Sequence, residues 1–342
     1  MFYNVSMFPL GKLPPELLTQ LIDQFSVTDP ALVLGPGVGR DCAVIDLGGD
    51  QLLVGKSDPI TFATDEIGWY AVHVNANDIA TTGATPRWFL ATILLPQAIE
   101  RGIVDQIFGQ IRSACAELKI AVVGGHTEVT YDLKRPIVIG SLLGVVPRSQ
   151  LIVPTGARPG DAIIFTKRLA IEATAIIARE RYPELVRKFG AEWLDRCKSF
   201  LQAPGLSVVP DARIATSAGR VHAMHDPTEG GLATALHELA VASGVDMLID
   251  GGLVPTYPET RALCNHYRLD MWGVIASGSL LLAVEAADAR PIVTALRDAN
   301  IEATVIGRVM AESAEPQVRV KYRDEVRVLS PFARDEIAQL FE

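Results

Sequence analysis

Carboxylates at four separated points of the chain could together hold a divalent cation. Asp41 follows a glycine-rich segment, and Asp58 follows a short apolar run. Asp78 lies in a helix-like segment, and Asp226 lies in the sequence His-Asp-Pro. Oxygen ligands of this kind are the ones that Mg²⁺ prefers in proteins. Each aspartate taken singly is also explained as a turn or cap residue, so both interpretations stay open at this point.

Three glycines, Gly35, Gly37 and Gly39, stand just before Asp41. Glycine lets backbone N–H groups converge on an anion without obstruction by a Cβ atom. No Gly-Lys-Ser/Thr follows, which excludes a Walker A loop. The segment leads into a strand and not a helix, which excludes the Rossmann fingerprint. An ordinary tight turn remains the alternative to an anion-binding loop.

The segment WYAVHVNANDIATTGATP predicts a buried helix from about residue 65 to 82. Asn75, Asp78 and Thr82 share one face of that helix, because they are spaced at i, i+3 and i+7. Most neighbours are small or apolar. An ionised aspartate buried there needs a cation or several donors, since an unpaired buried charge is costly. A solvent-facing polar stripe is the competing interpretation.

Two further segments carry polar residues beside glycine pairs. In VVGGHTEVT, a strand is predicted to end at Val123, and a turn at Gly124-Gly125 would present His126 and Thr127 to a ligand. No separate catalytic role follows for His126, since a lone histidine is more often structural.

The other segment, HDPTEGGLATALHELA, predicts a capped helix. Asp226 would be the N-cap, with Pro227 at N1 and Glu229 at N3, which forms a capping box. Gly230 and Gly231 would then fall in the first helical turns, where each costs about 1 kcal/mol relative to alanine. Such a cost indicates that a ligand or another backbone approaches closely.

The elements that must position these residues fall into two halves. Proline and glycine concentrate in VPRSQLIVPTGARPGD, so we expect domains over residues 1–150 and 151–342. Both halves mix strands and helices, which predicts an α+β (mixed α/β) fold. The predicted strands are 42–47, 51–55, 120–123, 136–146, 162–165, 279–284 and 301–309. The predicted helices are 13–25, 65–82, 104–118, 169–181, 191–201 and 290–299, together with the capped helix that begins at Asp226.

Composition excludes several classes of function. The 342 residues carry a net charge of −9, with 49% hydrophobic and 21% charged residues. This balance supports a sizeable core and argues against a nucleic-acid partner, which would require a basic face. The four cysteines form no CxxC pair, which favours a reducing compartment. Neither a leader nor a membrane-spanning stretch is visible, so a cytoplasmic location without membrane contact is expected.

Taken in order, the segments resemble the aminoimidazole-ribonucleotide (AIR) synthetase, or PurM-like, superfamily, and most of all its HypE-like, AIR synthase-related branch. The resemblance spans nearly the whole chain, and its specificity comes from the order of segments that are individually weak. These segments are GRDCAV, KSDPITF, NANDIATTGATP, GGHTEVT, PGDAIIFTK, HDPTEGGLATALHELA and SGSLLLAV.

The resemblance implies a two-domain PurM-like architecture and a homodimer. The N-terminal sheet would form a dimeric barrel, and the C-terminal domain an α+β sandwich. ATP would bind near the glycine segment and the subunit interface, with Mg²⁺ held by Asp41, Asp58, Asp78 and Asp226. The residues expected to bind the nucleotide are Gly35, Gly37, Gly39, Asn75, Gly124, Gly125, His126 and Thr127.

The activity implied is ATP- and Mg²⁺-dependent activation of an amide, carbonyl or phosphate-like oxygen by γ-phosphoryl transfer. The second substrate and the catalytic residues stay unassigned. Many members read Gly-Asp-Asp where this chain has Gly39-Arg40-Asp41. HypE proper carries its carbamoyl group on a cysteine at its extreme C-terminus, whereas the last cysteine here is Cys264. Two alternatives therefore stay open: a non-catalytic nucleotide-binding partner in a maturation complex, and a kinase similar to thiamin-monophosphate kinase.

Overall fold

The computed structural model describes residues 13–25, 29–37, 39–60 and 65–341. Residue 38 of the glycine segment therefore lies outside the described residues. The strands are β1 (Leu32–Leu34), β2 (Ala43–Ile45), β3 (Gln51–Ile60), β4 (Thr85–Leu95), β5 (Ala121–Val129), β6 (Ile137–Pro147), β7 (Ala162–Thr166), β8 (Val221–His225), β9 (Val245–Asp250), β10 (Leu281–Val284), β11 (Ala303–Glu312), β12 (Val318–Tyr322) and β13 (Glu325–Val328). The α-helices are α1 (Pro15–Ile22), α2 (Ile67–Thr81), α3 (Arg101–Leu118), α4 (Ile171–Glu180), α5 (Tyr182–Phe189), α6 (Ala191–Lys198), α7 (Val209–Ala218), α8 (Gly231–Ser243), α9 (Pro258–Tyr267) and α10 (Ala289–Asp298).

The N-terminal half forms a mixed sheet in the order β1-β2-β3-β6-β4-β5. Neighbouring strands are antiparallel except β4 and β5, which are parallel and are joined through α3. Burial alternates along β6, from Ile137 to Val146, as expected for a strand that covers a core on one face. Helix α2 packs on one face of this sheet.

Helix α2 packs directly on β6, and two glycines of that strand permit the close approach. A Cβ at Gly140 would lie 2.5 Å from Asn75 Nδ2, and one at Gly144 would lie 2.5 Å from Ile79 Cγ2. Most of the helix is buried on all sides, which explains the nearly continuous run of small and apolar residues in its sequence. The helix predicted from that run is confirmed, with bounds one or two residues inside the expected ones.

The C-terminal half forms a second mixed sheet in the order β13-β12-β9-β11-β7-β10-β8. Its pairs are antiparallel except β9 and β12. Strand β10 (Leu281–Val284) is buried along its whole length, as is typical of a central strand covered on both faces. The predicted domain boundary at residue 150 falls between the strands of the two sheets. The division into domains at this residue stays a prediction.

The two halves are docked through buried polar contacts of α2. Asn77 Nδ2 donates to Leu206 O at 2.9 Å, and Val208 N donates to Asn77 Oδ1 at 2.8 Å. An apolar cluster continues across the same junction, from Phe89 of β4 to Phe165 of β7. Helix α2 therefore belongs to the packing of both halves at once.

Three local expectations were wrong. Strand β5 continues through Gly124, Gly125 and His126, where a turn was predicted. Gly125 (φ +149°) is needed there for a different reason: its Cβ would lie 2.1 Å from Ala91 O of the neighbouring strand. Close backbone approach, and not chain reversal, explains this glycine.

The second correction concerns β3, which was expected to end at Gly55 with Asp58 beyond it. The strand continues to Ile60 because β6 pairs with it along its full length, including Asp58 with Gly140.

The third concerns the capping box. Helix α8 begins at Gly231 with Gly230 as its N-cap, so Asp226 and Glu229 do not cap it. Both glycines have positive φ, and a Cβ on Gly231 would lie 2.5 Å from Trp272 O. The close approach indicated by the glycine pair is thus that of another backbone.

Within the described part of the chain, no helix is both long and apolar enough to cross a bilayer.

Candidate functional site

The aspartates predicted to bind metal gather around one ammonium group. Lys56 Nζ lies 2.9 Å from Asp78 Oδ2, 3.4 Å from Asp58 Oδ2 and 3.9 Å from Asp41 Oδ1. Asp226 belongs to the same electrostatic neighbourhood, because the Asp78 and Asp41 carboxylates raise its pKa after the larger effect of burial. The structure thus brings together residues that are 185 positions apart in the sequence (41 to 226).

The members of this carboxylate cluster (Asp41, Asp58, Asp78 and Asp226, with Lys56) come from several separate elements. Lys56 and Asp58 are two residues apart on β3, so their side chains leave the same face of the strand. Asp78 is on the last turn of α2, above that sheet. Asp226 directly follows β8 of the other half. The docking of α2 against both sheets is therefore what assembles the cluster.

The cluster has a buried base and an open side. The Asp78 side chain is 4% exposed, whereas those of Asp58 and Asp41 are 40% and 39% exposed. Burial raises the pKa of Asp78, and the neighbouring Asp41 and Asp58 raise it further, against the lowering effect of Lys56. Burial lowers the pKa of Lys56, but the three carboxylates raise it more, so the ammonium stays charged. One cation therefore compensates several acidic groups.

The residues present fit a magnesium ion that is shared with a polyphosphate. Asp226 Oδ2 is buried and makes no hydrogen bond within the described residues. This oxygen is therefore available as a metal ligand. Among those residues, no three His, Cys, Asp or Glu side chains are grouped tightly enough to chelate an ion alone. Magnesium is commonly held by one or two carboxylates together with phosphate oxygens and water. The donor set suits that shared form of binding.

The glycine segment adjoins the cluster. Gly39 and Asp41 line a small cavity together with Thr81 of α2 and with His225, which precedes Asp226. Gly39 has φ +74°, a backbone conformation that side-chain-bearing residues rarely adopt. The Arg40 side chain folds back over Gly37, whose Cβ would lie 3.0 Å from Arg40 Cδ. The segment therefore lies where nucleotide binding by Gly35, Gly37 and Gly39 would require it, and that binding stays a prediction.

Asn75 is buried beside the cluster and ties α2 to β3. Its Nδ2 donates to Ala71 O at 2.8 Å and to Asp58 O at 3.4 Å. Because the second contact reaches the backbone of Asp58 itself, Asn75 helps to fix where that carboxylate stands. Contact of Asn75 with a nucleotide stays a prediction.

The other predicted nucleotide-binding residues lie elsewhere. Gly124, Gly125, His126 and Thr127 are on β5, an exposed strand at the end of the sheet order, and β6 and β4 separate it from β3. They line a groove of about 540 Å³ with Phe108 and Ile111 of α3. Within one chain these residues do not join the carboxylate cluster.

Sequence reasoning missed two residues of this region. Lys56 was given no role, although its position two residues before Asp58 in a predicted strand was a usable signal. His225 pairs with Glu238 of α8, with Nε2 2.7 Å from Oε2. That pair joins the end of β8 to the middle of α8, a tertiary contact that residue type and spacing do not indicate.

Comparison with known proteins agrees with this architecture. The family models for the N-terminal and C-terminal domains of AIR synthase related proteins match residues 39–146 and 158–319. The two-sheet fold and the dispersed carboxylates define a PurM-like protein, and the chain belongs to the AIR synthase-related family.

Within that family the similarity is to the hydrogenase-maturation branch. The chain is 32% identical over 272 residues to carbamoyl dehydratase HypE of Cupriavidus necator, covering 77% of this chain and 74% of the relative. It superposes on the structure of hydrogenase maturation protein HypE in complex with ATP with a TM-score of 0.71 and 23% identity, over 93% and 95% of the two chains. A HypE–HypF complex gives 0.74 and 20%, over 92% and 99%. The Cupriavidus necator relative is an enzyme by its name, a carbamoyl dehydratase.

Proposed function

We propose that this protein is an ATP- and Mg²⁺-dependent enzyme that activates an amide, carbonyl or phosphate-like oxygen by γ-phosphoryl transfer. The observation that carries the proposal is the carboxylate cluster, in which Lys56 lies within 4 Å of three carboxylates of the N-terminal half. Asp226 of the C-terminal half interacts electrostatically with the same group. Structural ion pairs on protein surfaces do not usually place so many like charges around one buried lysine, because the excess acid is destabilising.

In this proposal each part of the site has a separate task. Asp41, Asp58, Asp78 and Asp226 hold Mg²⁺, and backbone N–H groups of the glycine segment face the phosphates. The metal supplies neutralisation of the charge that spreads over the phosphoryl oxygens. The buried base formed by Asp78 and Asp226 keeps water away from one side of the cluster. Because the metal neutralises charge between them, a protein with a net negative charge can bind a negatively charged nucleotide.

A homodimer would complete the nucleotide site. Strand β5 is exposed on both faces, and Val122, Val123 and Val129 are more than half exposed. An open strand carrying apolar side chains is a surface that proteins normally cover. A second copy on this edge would bring Gly124 to Thr127 into an interface, as the family resemblance expects. HypE forms a complex with HypF in one related structure, so a maturation partner is part of the proposal.

A nucleotide-binding protein without catalysis is the second candidate. It is favoured by the cysteines: Cys42, Cys115, Cys197 and Cys264 are all buried, and burial raises the pKa of each thiol. None is therefore presented as an acceptor for an activated group.

Phosphate release from ATP distinguishes the two candidates. It would be measured with and without Mg²⁺ across carboxamides, carbamoyl thioesters and phosphate monoesters, the last including thiamin monophosphate. The enzyme proposal expects turnover that one acceptor class stimulates and EDTA abolishes. Tight ATP binding without turnover under every condition, including with candidate partner proteins, would instead establish the binding protein.

A further inference from the structure

Lys56 occupies the place where a metal ion would meet its ligands. Its ammonium lies within 4 Å of Asp41, Asp58 and Asp78, and its side chain is 11% exposed. A lysine in this position and a divalent cation compete for the same carboxylate oxygens. Both cannot be near all three groups without strong repulsion, since like charges about 4 Å apart repel by several times the thermal energy even when partly screened.

The cluster around Lys56 is open to solvent on one side. Asp78 lies at the closed end of the cluster, whereas Asp41 and Asp58 are on the open side. Because Lys56 is rooted in β3 between β2 and β6, its flexible stem can swing its ammonium towards this open side without moving the strand. The glycine segment that precedes Asp41 borders that side.

We propose that Lys56 is a positioning residue that makes metal binding depend on nucleotide. Without nucleotide its ammonium occupies the cluster, offsets part of the negative charge and keeps divalent cations out. When a polyphosphate arrives, the ammonium moves to the phosphates and the carboxylates become available to the metal. Metal and nucleotide then bind cooperatively, with Lys56 as the exchanged group. This inference rests on the proposed Mg²⁺–ATP site.

The test is Mn²⁺ affinity, measured by electron paramagnetic resonance with and without a non-hydrolysable ATP analogue. In the nucleotide-free protein, Lys56→Met should bind Mn²⁺ about tenfold more tightly than wild type, or better, because the competing charge is gone. The analogue should then improve Mn²⁺ affinity less in Lys56→Met than in wild type. Lys56→Arg, which keeps the charge, should behave like wild type.

Two further variants control for poor folding and for the general effect of removing a buried lysine. Lys56→Gln keeps a polar group in the cluster and should show the same gain if the methionine variant folds poorly. Lys167→Met is the matched control, because Lys167 is also buried and lies 3.5 Å from a carboxylate, Asp211, outside the cluster. It should leave Mn²⁺ affinity unchanged.

The possible failures are distinguishable. If Lys56→Met and Lys56→Gln bind Mn²⁺ no better than wild type, while wild type binds the metal–nucleotide complex, the role of Lys56 is wrong and the Mg²⁺–ATP site stands. If no form binds Mn²⁺ even with the analogue present, the proposed function fails as well.

Discussion

At the scale of single residues, burial distinguishes the acidic groups of the candidate metal site from ordinary surface carboxylates. Asp78 and Asp226 are both nearly inaccessible, at 3% and 1% exposure, and their pKa values are raised first by burial. The type and spacing of Asp78 were visible in the sequence because helical periodicity placed it with Asn75. Its ion pair with Lys56 was not, because that contact joins a helix to a strand that precedes it in the chain.

A separate buried acid, Glu172 at the start of α4, should make stability depend on pH. Burial raises its pKa to about 7, with Asp335 adding to the shift and hydrogen bonds from Ser277 opposing it. A group with a raised pKa stabilises the fold below its unfolded-state pKa, and this contribution is lost as pH rises through the folded-state value.

Relative to Glu172→Gln, the wild type should therefore lose about 3 kcal/mol of unfolding free energy between pH 4.5 and 8. Urea unfolding of both proteins across this range measures the difference. A constant gap between the two curves would contradict the raised pKa of Glu172.

At the scale of elements, the fit of α2 on β6 determines whether the cluster forms. Gly140→Ala should destabilise the protein by about 1–3 kcal/mol, because the added methyl group meets Asn75 and the backbone of Ala71. The same change should weaken Mg²⁺-dependent nucleotide binding, since Asn75 contacts the backbone of Asp58. Thermal unfolding and calorimetry would record the two effects.

The control for that substitution lies in α3. A Cβ at Gly109 meets nothing within 4 Å, so Gly109→Ala should stabilise the protein by up to about 1 kcal/mol through helix propensity alone. Equal effects of the two substitutions would mean that α2 and β6 are not in close contact.

Elements also show where sequence reasoning succeeds and fails. Helix α2 and strand β6 were predictable because each is a long run with one kind of burial pattern. Strand β5 was not, since its glycines resemble a turn while Gly125 is required by the neighbouring backbone of Ala91. The start of α8 failed similarly: Asp226 satisfies the spacing of a capping box but is buried in the cluster. Tertiary contacts outweighed local signals in both places.

At the scale of the whole molecule, the open edge of the N-terminal sheet should mediate self-association. Val122→Lys places a charge on β5, in the groove that Phe108 of α3 also lines, where a partner strand would bury it. We expect sedimentation velocity to show a shift from dimer to monomer, because burying an unpaired charge in an interface is costly. Val241→Lys, at an exposed position of α8, should leave the dimer intact. A wild-type protein that sediments as a monomer at all concentrations would contradict this interface.

The whole-molecule order of segments is also what identified the family, since each motif alone is ambiguous. The sequence could not reveal that α2 holds both halves together through Asn77, because the partners, Leu206 and Val208, are backbone groups. Every residue type has a backbone carbonyl, and nearly every type has a backbone N–H, so such contacts cannot be predicted from the sequence.

The most direct test of the carboxylate cluster is calorimetry of ATP binding to Asp78→Asn with and without Mg²⁺. The substitution keeps the shape of the side chain and removes the charge nearest Lys56. The melting temperature of the nucleotide-free protein should stay within a few degrees of wild type, because burial already disfavours the charged form of Asp78. Mg²⁺-dependent ATP affinity should fall by about tenfold or more. Unchanged Mg²⁺-dependent affinity in a folded Asp78→Asn protein would contradict the assignment of this cluster as the metal–nucleotide site.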